Sequence, residues 1–132
     1  LDEKYRDIGW AGARLDDLFN FLPARLCGFL MCAAAFLLGL NGQGALRVLL
    51  RDHKNHLSPN CAWSEAAAAG ALGIQLGGDH LYFGKLVKKP TIGDNLRPVE
   101  IADISRAVKL MFVTSGLMAL ILVLVEVILC VL

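Results

Sequence analysis

Two long apolar blocks dominate the chain, with a polar stretch between them. The first, FLPARLCGFLMCAAAFLLGL from Phe21 to Leu40, is interrupted only by Pro23 and Arg25 near its start. Proline fits a first helical turn, and an arginine at that place reaches back to an interface. The second, MFVTSGLMALILVLVEVILCVL from Met111 to Leu132, has Glu126 as its only charge. Each approaches the roughly 20 apolar residues that a bilayer crossing needs. A soluble domain this short could hardly cover the second block on every side. The pattern predicts spans near 21–40 and 111–132, separated by a polar loop over 41–110.

Inside the loop the spacing predicts two more helices. Ser58-Pro59 offers an N-cap followed by proline at the first helical position, and Asn60 could cap equally well. An alanine-rich run then continues to Leu76 and stops at Gly77-Gly78. Within it Ala66, Gly70 and Gly73 let another backbone approach closely. The second helix is expected to begin near Pro98, with Glu100 and Asp103 in its first turn, where the dipole favours acids. Ile101, Ile104, Val108 and Met111 then lead into the last span. GLNGQG, residues 39–44, reads as a helix end. No strand and no internal repeat are evident. The expected architecture is all-α: a polytopic integral membrane helix bundle with a large polar loop containing additional helices.

Composition narrows the function. With 132 residues, 56% hydrophobic, and a formal charge of +1, the chain has no field to attract nucleic acid. Two Trp and two Tyr are too few for a base-stacking surface. The four cysteines, at 27, 32, 61 and 130, form no C-x-x-C pair and read as reduced small hydrophobes. Nine of the thirteen basic residues fall between Asn41 and Lys109, which points to a cytoplasmic loop. An opening without Met and an ending inside an apolar run suggest a piece of a longer protein that lacks its front. The leader is too polar for a signal peptide.

Polar groups cluster in three places. Arg51, Asp52, His53, His56, Ser58, Asn60 and Glu65 surround the start of the predicted central helix. A helix start binds phosphate through its unpaired N–H groups, histidine and arginine add charge, and Asp52 or Glu65 could hold a metal. A merely capped helix with solvated charges is the alternative. In KKPTIGD, Lys88 and Lys89 could meet a phosphate and Asp94 could ligate magnesium. In RLDDLFNFLPAR, Asp16, Asp17 and Asn20 precede the first span and Arg25 sits just inside it, a set that could bind a cation or an amine. No P-loop is present. Three isolated histidines make no zinc site. Glu126, an ionisable group within a span, is a further candidate.

RDHKNHLSPNCAWSEAAAAGALGIQLGG, followed by YFGKLVKKPTIGD, resembles the CbiB/CobD family of cobalamin-biosynthesis membrane proteins. RLDDLFNFLPARL also resembles the family segment that leads into the membrane. Cys61 and Ala62 depart from the family's Ala-Gly, although both are small. The resemblance covers nearly the whole chain, as the C-terminal part of a full-length member. It implies a multi-pass inner-membrane enzyme, adenosylcobinamide(-phosphate) synthase. Such an enzyme joins aminopropanol or its phosphate to the propionate carboxylate of adenosylcobyric acid, with ATP and Mg²⁺ as activators. The implied partners are a corrinoid, an amino alcohol, the lipid bilayer and the N-terminal part of the same protein, with no nucleic acid. On this reading His56 and Glu65 are the catalytic candidates, with the general base open between them. Arg51, Ser58, Asn60, Gln75, Lys89, Asp16, Asp17 and Arg25 bind substrate or phosphate, and Asp52 and Asp94 bind Mg²⁺. Two rivals are an AmpE-like membrane sensor without catalysis and a transporter fragment. The intact H-x-S-P-N…E…Q-L-G-G block opposes the first, and the absence of paired broken helices opposes the second.

Overall fold

The computed structural model describes residues 5–132, so the first four residues of the polar leader lie outside it. Five helices and four short strands follow in order: α1 (Arg6–Phe19), α2 (Phe21–Leu37), α3 (Gly42–Asp52), α4 (Cys61–Leu72), β1 (Gln75–Gly77), β2 (His80–Tyr82), β3 (Lys85–Val87), β4 (Thr91–Gly93) and α5 (Ala102–Val131). The fold is mostly helical, but the all-α expectation needs correction at the strands. β1 pairs antiparallel with β4, and β2 with β3, so a tight hairpin sits nested inside an outer pair. Strands of three residues are too short to show the alternation by which a strand is read from sequence.

Two helix limits also differ from expectation. α3 occupies the stretch read as a helix end, because Asn41 caps it by accepting the Gly44 N–H at 2.8 Å. α4 starts after Asn60 as anticipated but stops at Leu72, where Gly73 takes the left-handed conformation (φ 66°). As the spacing predicts, the helix expected near Pro98 runs straight into the last span, and the two form one element, α5. α5 is long and apolar enough to cross a membrane, with mean hydropathy 2.5 and 6% of its most apolar stretch buried. α1 and α2 bend by 46° at Asn20, and qualify as a second span only if the bent pair is taken as one.

Alanine builds the core. Ala34 and Ala35 of α2, Ala45, Val48 and Leu49 of α3, and Ala62, Ala66, Ala67 and Ala69 of α4 are buried together, with Ile92 of β4 and Leu110 of α5. Such small side chains let helix backbones touch. A Cβ on Gly70 would overlap the Gly44 carbonyl and lie 2.8 Å from the Ala45 Cα. Likewise a Cβ on Gly28 would come within 3.3 Å of the Trp63 carbonyl. α4 is thereby held against both α2 and α3, with its N-terminal end, and the loop before it, at the surface.

Candidate functional site

The loop from His53 to Asn60 links α3 to α4, and its local bonds set the site. His53 Nδ1 lies 3.0 Å from the Leu49 carbonyl, one turn back, and its ring packs on Trp63 with centroids 4.6 Å apart. Asn55 donates to the Thr91 carbonyl at 3.1 Å, fastening the loop to β4. The Ser58 N–H donates to His56 Nδ1 at 3.0 Å. That bond makes Nδ1 an acceptor, so a neutral His56 has its proton on Nε2.

Asn60 ends the loop with 8% of its surface exposed. Its side chain accepts from Arg25 at 2.7 Å and donates to the Asp17 carbonyl at 2.9 Å, tying α1, α2 and α4 together. Asp17 thus contributes main chain rather than carboxylate, while Asp16 accepts from Asn20 at 2.9 Å. Asp16, Ser58 and Asn60 line one cleft of about 310 Å³ beside the α4 N-terminus.

His56, Glu65 and Lys89 come together. With Asn55 and His80 they line a cleft of about 430 Å³ between the loop, α4 and the strands. Glu65 is half-buried, and its carboxylate has no hydrogen bond among the described residues. Asn55 and His80 escaped the sequence reading. His80 follows the Q-L-G-G motif by two residues, and Asn55 lies between the two loop histidines, so position relative to the motif was the available signal. Gln75, exposed in β1 opposite Gly93, is not among the residues lining this cleft.

Arg51, Asp52 and Asp94 form a separate network. Arg51 donates to both Asp52 oxygens and to Asp94, each at 2.7 Å, and Arg47 also pairs with Asp94. Asp52 is buried and also accepts the Gly93 N–H at 2.8 Å, which pins β4 to the end of α3. The bonded Arg51 guanidinium holds the Asp52 carboxyl below its ordinary value, and Arg51 is raised in turn. Oxygens already engaged by two guanidiniums and an amide suit a structural pin and do not fit a Mg²⁺ pair. Among the described residues no group of three His, Cys, Asp or Glu is placed to hold a metal.

At the opposite end of α4, Arg97 donates to the Leu72 carbonyl at 3.1 Å and to Asp103, in the first turn of α5. Asp103 also accepts from Arg106 at 2.7 Å. The bonds to Asp103 raise Arg97 above its ordinary value. This network joins α4 to α5 away from the large cleft.

The model of the family described as CobD/Cbib protein matches residues 1–111. The chain belongs to the CobD/CbiB family. It is 56% identical over 119 residues to the cobalamin biosynthesis protein CobD of Geobacter metallireducens, covering 90% of this chain and 37% of that protein. To the cobalamin biosynthesis protein CbiB of Salmonella typhimurium it is 58% identical, over 87% of this chain and 36% of the relative. The CobD protein of Listeria monocytogenes is 51% identical, over 86% and 36%. The chain therefore spans little more than a third of the curated relatives it matches. No solved structure matches it.

Proposed function

We propose that this chain forms part of the active site of a cobalamin-biosynthesis ligase. The reaction joins aminopropanol or its phosphate to the propionate carboxylate of adenosylcobyric acid, giving adenosylcobinamide or its phosphate. Membership of the CobD/CbiB family supports the pathway. The observation that supports an enzymatic site is the convergence of His56, Glu65 and Lys89, from a loop, a helix and a strand connection, on one cleft.

An amide bond requires an activated carboxylate, which ATP with Mg²⁺ would supply as an acyl phosphate. The cleft residues then divide the work. A half-buried carboxylate without a hydrogen bond among the described residues, Glu65, suits an ammonium group and serves as general base. His56 is fixed as a donor by its bond to Ser58, so it stabilises negative charge on oxygen rather than taking a proton. Lys89 adds positive charge to the same wall. As the amine nitrogen bonds to the acyl carbon, the C–O bond to phosphate breaks and phosphate leaves with its electron pair. The proton shed by nitrogen passes to Glu65.

The same reading places the protein in the inner membrane as a multi-pass protein with its polar loop in the cytoplasm. The length and exposure of α5 support a span there, and the bent α1–α2 pair supports a second. Lipid and the N-terminal part of the same protein would cover the apolar faces.

Complementation tests the proposal. The full-length protein is introduced into a bacterium lacking its own synthase, grown on cobyric acid under cobalamin-dependent conditions, beside Glu65→Gln and Glu65→Ala copies that insert equally well. Growth with the parent and neither variant supports the ligase and the role of Glu65. Growth with all three removes Glu65 from the chemistry. Failure of the well-inserted parent refutes the ligase and moves the non-catalytic sensor forward.

A further inference from the structure

Beside the large cleft lies a second of about 380 Å³, between the first turns of α2 and the 53–59 loop. Its polar lining is Arg25, His53, Lys54 and His56, its flat wall is Trp63, and no carboxylate lines it. Arg25 is the informative member. Arg47, Arg51, Arg97 and Arg106 each pair with a carboxylate. Arg25 has no acidic partner among the described residues. Its Nη1 donates to two neutral oxygens, the Phe21 carbonyl and the Asn60 side chain, each at 2.7 Å. Its guanidinium also lies 3.6 Å from the Phe21 ring centroid and 5.0 Å from that of Trp63. The charge is half-buried, positioned by neutral groups, and uncompensated.

A partly desolvated cation without a counterion is costly unless an anion arrives to pair with it. The fixed planar fork of arginine suits a phosphate, and Lys54 adds a second charge from the loop. Trp63 is buttressed by His53 on its ring and by Phe29 at 5.9 Å, which holds the wall in place. We propose that this cleft is the phosphate-binding subsite, receiving a phosphate monoester or polyphosphate on Arg25 and Lys54. The assignment rests on the ligase reading for which substrates arrive, but not for the anion chemistry itself. His56 and Leu57 line both clefts. The loop is therefore a shared partition, with the anion on one side and the amine facing Glu65 on the other.

Two sources of phosphate fit this chemistry, the nucleotide and a phosphorylated amino alcohol, and the rival occupant is a lipid phosphodiester headgroup. Purified full-length protein in nanodiscs of zwitterionic phosphatidylcholine is titrated calorimetrically with ATP, with aminopropanol phosphate, and with unphosphorylated aminopropanol. The titrations are repeated with phosphatidylglycerol in the disc. Lys54→Gln and His53→Gln break no bond that holds Asn60, and Lys109→Gln controls for loss of a charge elsewhere. The expected result is binding of at least one phosphorylated small ligand, weakened about 5- to 10-fold by Lys54→Gln and less by His53→Gln. Lys109→Gln and the unphosphorylated amine should show no such change. The ligand whose affinity falls identifies the source.

Unchanged affinity of every phosphorylated ligand in both loop variants overturns the proposal, as does loss of binding only when phosphatidylglycerol is present. A parent that supports growth while its loop variants bind normally leaves the ligase intact and removes this subsite. A parent that fails to support growth, yet loses phosphate binding with Lys54→Gln, does the reverse.

Discussion

Substituting Gly70 with alanine sets two opposed effects against each other, and the geometry decides the sign. In an exposed helix the change would stabilise by about 1 kcal/mol through helix propensity. Here the added methyl would overlap the Gly44 carbonyl, 2.7 Å from its carbon and 2.8 Å from the Ala45 Cα. Carbon atoms prefer separations near 3.5–4.0 Å, so α3 and α4 must part by about 1 Å. The obstructing atoms are main chain within a helix, and no rotamer change relieves them. Overpacking of this kind costs about 1–3 kcal/mol, and a rigid partner places it toward the upper end. The net expectation is a loss of about 1–2 kcal/mol after the propensity gain. Thermal unfolding of the full-length protein in detergent, followed by intrinsic tryptophan fluorescence, should show a midpoint several degrees lower. Gly116→Ala is the control, because nothing lies within 4 Å of a Cβ there, and it should leave the midpoint unchanged or raise it. A midpoint that rises for Gly70→Ala would refute the close approach of α3 and α4.

Asn60→Ala should cost about 2–3 kcal/mol, because it strips Arg25 of a charge-assisted bond and leaves the Asp17 carbonyl unpaired. An unfolding midpoint equal to the parent's would refute that linkage. The Asp52 carboxyl is lowered below its ordinary 3.8, chiefly by the Arg51 bond, so the folded state favours the charged form. Its stabilisation is complete above the unfolded value and is lost as pH falls below about 4 through the folded value. Asp52→Asn should remove about 1–2 kcal/mol at neutral pH, discounted for the half-exposed Arg51, and flatten the acid limb of a stability–pH curve. A variant curve parallel to the parent's would refute this. Phe83 has φ 50° ahead of Gly84 at 76°, a pair of left-handed residues that suits asparagine better than an aromatic. Phe83→Asn should therefore stabilise the hairpin by up to about 1 kcal/mol, read as slower amide exchange at Lys85 and Val87, whose N–H groups lie in its hydrogen-bonded pairs.

What could be read from sequence followed the range of the forces involved. α5 was legible because an uninterrupted apolar run needs no partner to declare itself. The start of α4 was legible at Asn60, although that side chain ties α4 to Arg25 and Asp17 instead of capping it. Its end was misjudged because Gly70, Gly73 and Gly77 look alike in a string: one packs against α3, one terminates the helix, and one lies in β1. α3 was missed because Gly42 and Gly44 weaken a helix locally, and the contact with Gly70 that compensates is 26 positions away. In the site, His56, Glu65 and Lys89 were selected by chemistry and motif, and they share a cleft. Asp52 and Asp94 carried the same chemical signal. Arg51 engages both, its neighbour Asp52 and, 43 positions on, Asp94, and that second pairing is a tertiary fact with no counterpart in spacing.

The outer β1–β4 pair closes on itself through the Gly78 N–H to Pro90 carbonyl bond at 3.2 Å, so both feet of the inner hairpin are clamped side by side. What happens at the hairpin apex is thereby insulated from the helices. The apex, with Phe83 fully exposed, becomes a natural handle: a short peptide tag or a fluorophore placed there would leave the α-helical body undisturbed. Because His80 and Lys89 stand at the feet, such a probe would sit within sight of the cleft lined by His56 and Glu65 and could report its filling by a change in emission, without occupying it.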